Sequence, residues 1–364
     1  MWSAHRSQNT LWQANCRHGK RLAGYRRDVK FDDNERRLVT IGSAPGVELD
    51  ILPYGATVQR MSITDGNGQR RDVLVGVAGE VELRSSTAYF GSTVGRYANR
   101  IDKGRLTIDG RPVQLTVNDG GNHLHGGSDG FDSRHWSVVA QSANSVELEL
   151  VSPDGDQGYP GEVRARAFFA VTPNTVRLDL SATTTATTVV NLTSHVYFDL
   201  DGHGIDDHTL QVFASAFTPV DAHGIPDGTV GRVETTELDL RQPVRIGDVA
   251  RTTHPQVLAA RGVDHNFVVD GDGLRCAARL VSTRSRTELE VWSDQPGIQV
   301  YTGNFLDGTD ISRRGTTLRQ GDGIALEPQR FPDGPNHQNF PSALLHPGET
   351  YRSAIEWKFL SCPS

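Results

Sequence analysis

From about Leu38 onward, apolar residues recur at every second position between short clusters of Gly, Pro, Asn and Asp. Successive strand side chains point to opposite faces, so this period marks half-buried strands. Val47, Leu49 and Ile51 make one such run, Val146, Leu148 and Leu150 a second, and Thr287, Leu289 and Val291 a third. Phe169-Ala170-Val171, the turn Thr172-Pro173-Asn174, and Val176, Leu178 and Leu180 read as a hairpin with one face toward a core. Helical periodicity is confined to short pieces such as Pro255 to Ala260. At 364 residues the length alone suggests two domains, yet large all-β units run well past 200 residues. The strands follow one another without a Pro/Ser linker, a break in composition, a repeat or a low-complexity tract. The pattern therefore predicts an all-β protein, a large antiparallel β-sandwich in one domain over residues 36–364.

Residues 1–35 are different. Arg6, Arg17, Lys20, Arg21, Arg26, Arg27 and Lys30 face a single acid, Asp28, before Phe31, and no apolar period runs through them. They lack the continuous apolar core of a secretory signal and read as a basic, disordered extension that the domain does not need. The chain as a whole is acidic, with 37 Lys and Arg against 44 Asp and Glu, a formal net charge of −7, which argues against nucleic acid as the main partner. No apolar run approaches the ~18 residues of a membrane span. Cys16, Cys276 and Cys362 are odd in number and widely spaced, which supports neither a disulfide framework nor a zinc ribbon and fits a reducing, cytoplasmic location.

Three places carry chemistry. The first is Gly121-Asn122-His123-Leu124-His125-Gly126-Gly127, where two histidines at strand spacing can share a cation. The flanking glycines argue for a loop, so a ligand-binding histidine and a structural turn stay open beside the metal reading. The second is His195, an ionisable imidazole among Val196, Tyr197 and Phe198, which is either a pKa-tuned acid–base group or a hydrogen-bonded core histidine. The third is Glu327, which ends the apolar run Ile324-Ala325-Leu326 before Pro328 and is either functional or an edge-strand carboxylate facing water. Asn191-Leu192-Thr193 fits a glycosylation acceptor, a short and frequent pattern. Asp154-Gly155-Asp156 and Asp270-Gly271-Asp272 look like calcium-loop fragments but lack the closing Glu, and so read as turns. No Walker loop, dinucleotide fingerprint or nucleophile elbow is present. What is left is acid–base chemistry on a polar small molecule without a cofactor, or simple binding of the same ligand.

In chain order, Gly95-Arg96-Tyr97-Ala98-Asn99-Arg100-Ile101, Asn122-His123-Leu124-His125-Gly126-Gly127, Ser152-Pro153-Asp154-Gly155-Asp156-Gln157-Gly158-Tyr159-Pro160-Gly161 and Asn191-Leu192-Thr193-Ser194-His195 are followed by three further segments. These are Asp264-His265-Asn266-Phe267, Gln295-Pro296-Gly297-Ile298-Gln299-Val300-Tyr301-Thr302-Gly303-Asn304-Phe305, and Leu326-Glu327-Pro328-Gln329 with Phe331-Pro332-Asp333. Together, over residues 38–360, they resemble the aldose 1-epimerase (galactose mutarotase) family. The resemblance implies a β-supersandwich with an open sugar cleft, and interconversion of the α and β anomers of free aldoses such as galactose and glucose, with neither metal nor nucleotide. It implies His195 as general acid on the ring oxygen and Glu327 as general base on the anomeric hydroxyl. Asn99, Arg100, His125, Asp264 and Gln295 match positions that hold the sugar. Ser194 and Asp199 depart from the family pattern, in which asparagine is usual at both.

The chemistry asks for these residue types. Ring opening removes a proton from the C1 hydroxyl while another reaches the ring oxygen, so one base and one acid must serve the two ends of a single bond system. A carboxylate and an imidazole suffice, with Arg100 and His125 fixing hydroxyls and steadying charge on oxygen. The rival readings are a non-catalytic carbohydrate-binding sandwich, which has no use for an acid–base pair, and a metal-dependent sugar isomerase on His123 and His125, which lacks a third ligand. The expected partner is a small aldose sugar, not nucleic acid or membrane, bound by a monomer or homodimer.

Overall fold

The computed structural model describes residues 37–362, all within one compact unit; the basic extension over residues 1–35 lies outside them. Two antiparallel sheets make the body. The larger has nine strands in the order Ser137–Gln141, Ser145–Ser152, Val163–Val171, Thr175–Thr184, Tyr351–Ser361, Thr287–Ser293, Arg275–Ser282, Thr209–Val212 and Val244–Arg245. The other has seven: Gly231–Arg232, Ala214–Phe217, Asp264–Val269, Gly297–Tyr301, Ile324–Gln329, Tyr197–Phe198 and Leu74–Val75. A four-stranded sheet, Val39–Gly42 to Arg70–Asp72, extends the sandwich.

Alternation builds the core. Leu148, Ala165, Phe169, Leu178, Ile355 and Trp357 of the nine-stranded sheet share one apolar cluster with Phe198, Phe267, Ile298, Val300 and Leu326 of the seven-stranded sheet. The expected hairpin is present, with Val171 opposite Val176 and the turn at residues 172–174, and Val47, Leu49 and Ile51 are buried as their period requires. The helix Pro255–Ala260 is also as expected, its proline at the first helical position where a missing N–H costs nothing. Two helices were not legible, Glu80–Ser85 and Ile246–Val249, because four to six residues are too few to show a period. The two Asp-Gly-Asp segments are turns, and Asp154 accepts a hydrogen bond from the amide of Gly161.

One strand breaks the alternation. All six residues of Ile324–Gln329 are buried, because one face meets the core and the other lies under the loops that line the cleft. Those loops are held by Arg96, whose side chain is 2% exposed. Its five N–H groups all find oxygens: Ser152 Oγ at 2.9 Å and the carbonyls of Ser152, Pro153, Pro160 and Gly161 at 2.7–3.1 Å. Burial pushes its pKa down to about 10, with Asp156 opposing, so the guanidinium stays charged at neutral pH. Arg96 thereby fastens segment 95–101 to the 152–161 loop.

Replacing Arg96 with Met keeps the length and strands three buried acceptors, Ser152 Oγ and the carbonyls of Ser152 and Gly161, with the Pro153 and Pro160 carbonyls nearer the surface. It is expected to cost at least about 3 kcal/mol in urea unfolding, since each unsatisfied buried polar group costs ~1–3 kcal/mol. A loss below about 1 kcal/mol would show that water replaces the guanidinium freely.

Candidate active site

The cleft face is written in strand register. Glu327 lies opposite Gln299, Gln299 opposite Asn266, Tyr301 between Asp264 and Ala325, and Ala325 opposite Tyr197. Directly paired residues share a face, as do residues two apart, so Asp264, Gln299, Tyr301, Glu327 and Tyr197 project together. Gln299 Nε2 donates to Asp264 Oδ1 at 2.6 Å. Glu327 is 2% exposed, and its strand is interior to the sheet, which corrects the edge-strand reading.

His195 reaches this face from the segment preceding Tyr197–Phe198. Its amide donates to Ser92 O and its carbonyl accepts from Gly91 N, both at 2.9 Å, so the backbone on either side of the ring is fixed. Nε2 lies 3.6 Å from Glu327 Oε1. The ring has Tyr197 at 5.0 Å, His125 at 5.3 Å, Tyr89 stacked at 5.8 Å and Tyr301 at 6.3 Å between centroids.

His125 and Asn99 form a third wall through backbone that favours short loops. Strand His123–Leu124 pairs with Arg100–Ile101; beyond it, His125 has φ 50° and Asn99 φ 64°. Gly126, at φ +90°, packs so closely that an added Cβ would sit 1.7 Å from the carbonyl oxygen of Gly95. Only glycine permits that approach. His125 N donates to Asn99 O, and Asn99 N donates to His125 Nδ1, each at 3.1 Å. An Nδ1 that accepts an amide proton carries none itself, so the neutral ring holds its proton on Nε2. Arg100 Nε pairs with Asp119 at 2.8 Å. A cavity of about 390 Å³ opens beside Arg100 and Asp264 and runs to exposed Phe305 at its rim.

The electrostatics follow from burial. Burial, then repulsion from Asp264, pushes the Glu327 carboxyl well above the usual carboxylate range, and Arg100 offsets only part of this. Burial pushes His195 down to about 4 and His125 well below its ordinary value. Asp264 is raised by burial, against the pull of Arg100 and Gln299. Burial works against the Arg100 cation too, but Asp264 and Asp119 outweigh it and raise its pKa. At 3.6 Å the two groups are too far apart for a hydrogen bond, and burial, which raises the Glu327 pKa and lowers that of His195, favours the pair in which the proton sits on Glu327 and His195 is neutral.

Of the residues singled out in the sequence, His195, Glu327, Asn99, Arg100, His125 and Asp264 come together. Gln295 does not. Its amide donates to Asp294 Oδ1 at 2.8 Å and to Arg352 O, in the turn before Gly297–Tyr301, four residues and therefore about 13 Å of extended chain from Gln299. The second glutamine of that motif, not the first, faces Asp264 and Glu327. Tyr89, held at φ 56°, was also missed, since no sequence signal marks a left-handed tyrosine. His123 is a structural residue: its nitrogens contact Thr116 O and Tyr159 OH at 2.6 Å each. Asp199 caps a turn, accepting from the amides of Asp201, Gly202 and Gly204, while Ser194 is buried next to His195.

Among the described residues, two groups could be considered for a cation. His125, His195 and Glu327 place ligand atoms within 4.8 Å of one another, as do Asp199, Asp201 and His208. In each the imidazole is wrongly set. His125 Nε2 carries its proton for the reason above, and His208 Nε2 already accepts the Leu200 amide at 3.0 Å.

Fold and site together define a β-sandwich protein whose cleft holds a buried carboxyl–imidazole pair ringed by polar groups suited to hydroxyls. The family model "Aldose 1-epimerase" matches residues 37–358, and the chain belongs to that family. It is 41% identical to the galactose mutarotase of Bos taurus over 317 residues, 86% of this chain and 91% of that one. It is 37% identical to the aldose 1-epimerase of Escherichia coli (strain K12) over 337 residues, 91% and 97% of the two chains. The solved structure of an aldose epimerase homologue from C. elegans superposes with a TM-score of 0.84 at 29% identity, covering 90% of this chain and 99% of that one. The galactose 1-epimerase of Lactobacillus acidophilus NCFM gives 0.80 at 29%, covering 90% and 95%.

Gly126→Ala tests the turn that delivers His125. The methyl group meets backbone at a positive φ, so the variant is expected to lose at least about 2 kcal/mol, strain alone being worth ~1–3 kcal/mol. Thermal unfolding decides; an unchanged melting temperature would mean that the turn is not held as described.

Proposed function

We propose that the protein is an aldose 1-epimerase in which Glu327 is the general base and His195 the general acid for opening and closing the ring of a free aldose. The observation that carries the assignment is the 3.6 Å between His195 Nε2 and Glu327 Oε1 on a buried face. The hydroxyl and ring oxygens of an anomeric centre hang from one carbon, so the groups that serve them must both come within hydrogen-bond reach of that centre, which two neighbours on one face can do. Glu327 takes the C1 hydroxyl proton as His195 gives one to the ring oxygen. The ring opens, rotation about C1–C2 presents the other carbonyl face, and closure returns both protons.

The shared proton makes the step economical. A cyclic sugar faces carboxylate and imidazolium; the open chain faces carboxylic acid and neutral imidazole. Burial disfavours charge on both groups and so favours the transfer that opens the ring, while mutual attraction restores the ion pair on closure. Arg100, Asp264, Gln299, Asn99 and the Nε2 proton of His125 are suited to orient the sugar hydroxyls. A metal-free, nucleotide-free reaction fits this donor set. We further read the protein as cytoplasmic, in keeping with the free thiols of Cys276 and Cys362, and as a monomer or homodimer.

Glu327→Gln preserves size and removes the base. Followed by polarimetry on fresh α-galactose and α-glucose, it is expected to lower turnover by roughly 10²–10⁴-fold with binding retained, and His195→Asn to do the same. Near-normal turnover in either variant would reassign the roles.

The pH dependence has a definite sign. Below about 4 the pair takes a second proton at His195 and has no base left; above the raised Glu327 value it loses its last proton and has no acid. Between these limits kcat/KM should be flat through neutrality, wider than the ordinary values of about 4.3 and about 6.5 allow. Asp264→Asn removes the repulsion that raises Glu327 and should move the basic limb to lower pH. A narrow bell, or an upward shift in that variant, would contradict the shared-proton description.

A further inference from the structure

We propose that Asn191 is a positioning residue for the epimerase reaction, a side chain that ties all three segments of the active site together. The inference rests on the roles assigned above to Glu327, His195 and Arg100. Asn191 stands four residues before His195 and is 0% exposed. Its backbone runs beside Tyr97: its amide donates to Arg96 O and its carbonyl accepts from Ala98 N, both at 2.8 Å. Those bonds fix the segment that ends in Asn99 and Arg100.

Its side chain reaches the third segment. Nδ2 donates to Ala98 O and to Arg330 O, each at 3.2 Å, and Oδ1 accepts from Arg330 N at 2.8 Å. Arg330 lies three residues after Glu327 and follows the last residue of its strand. Both N–H groups and the carbonyl of the amide are therefore used. One buried carboxamide thus stitches the Arg100 turn to the end of the Glu327 strand, from a point on the His195 segment. Two further stitches run in parallel: Tyr97 OH donates to Phe331 O at 2.8 Å, and Asp333 joins its amide to Arg100 O and its carboxylate to Asp102 N. Neither side chain bonds to the His195 segment.

The geometry also reassigns the Asn191-Leu192-Thr193 pattern. A fully buried amide with every polar group engaged cannot receive a glycan in the folded protein, so the asparagine serves the fold of the site. The physical demand for it is plain: no other side chain of this size offers two donors and an acceptor in one plane, and the partners are backbone groups of fixed position. Misplacing a catalytic group by ~1 Å can cost about 10²-fold in rate.

The test is the kinetics of Asn191→Ala and Asn191→Ser at a temperature where each is folded by circular dichroism, with rates expressed per folded molecule. Ser282→Ala serves as the control for general destabilisation, since it removes another buried hydrogen bond, to Asp201, outside the site. Positioning predicts that kcat falls about 10–100-fold and KM rises several-fold for both Asn191 variants, while Ser282→Ala keeps both constants. If the Asn191 variants only melt earlier and keep kcat and KM, the residue is structural and the proposal fails. If Asn191→Ala does not fold, Asn191→Ser, which leaves a smaller void, decides on the same criterion. Glu327→Gln is run alongside: should it retain turnover, the assigned roles fail, whereas its inactivity beside fully active Asn191 variants overturns this proposal alone.

Discussion

The structure depends on keeping a carboxyl and an imidazole 3.6 Å apart on a face from which water is largely shut out. Each group alone is costly there: an isolated buried charge is opposed by several kcal/mol of lost hydration. Together they need only one proton between them, and both places for that proton are tolerable because the net charge of the pair is zero in each. The rest of the cleft adjusts the balance. Asp264 raises the Glu327 carboxyl, Arg100 lowers it, and Asp119 and Asp264 keep the guanidinium charged.

A flat sheet face is well suited to such a pair, since strand register sets lateral spacing at a few ångströms and the core fixes it from below. Glu327, Gln299 and Asp264 are placed in this way. His195 and His125 come instead from irregular segments and Arg100 from a two-residue strand outside the main sheets, and these need other restraints: left-handed residues at Asn99 and His125, the close packing of Gly126, the buried guanidinium of Arg96 and the carboxamide of Asn191. The site is thus half sheet and half loop, and the polar side chains buried around it are those that make the loop half as rigid as the sheet half.

That division decides what the sequence could reveal. Half-buried strands write an alternation, so the sandwich, the hairpin at residues 172–174 and the run through Leu49 could be read directly. Ile324–Gln329 is buried on both faces and writes none, which left Glu327 ambiguous until its strand was seen to be interior. The resemblance to a family supplied most of the site, yet not the choice between Gln295 and Gln299, because a linear motif does not say which glutamine faces the cleft. His123 and His125 look equivalent in sequence and differ in what surrounds them: Tyr159 and Thr116 occupy one ring, Asn99 leaves the other a free donor. Tyr89 and Asn191 depend wholly on tertiary placement and could not be read at all.

We propose that Glu327 and His195 hold one proton between them, and its place can be measured. In protein carrying ¹³C-labelled glutamate and ¹⁵N-labelled histidine, with Glu327→Gln and His195→Asn used to assign the signals, magnetic resonance follows both groups from pH 5.5 to 7 in the free protein. The account predicts that neither group titrates in that interval and that the two together hold one proton throughout. A carboxyl ionised throughout, as its ordinary value of about 4.3 requires, beside an imidazole that titrates at about 6.5 as in water, would contradict it.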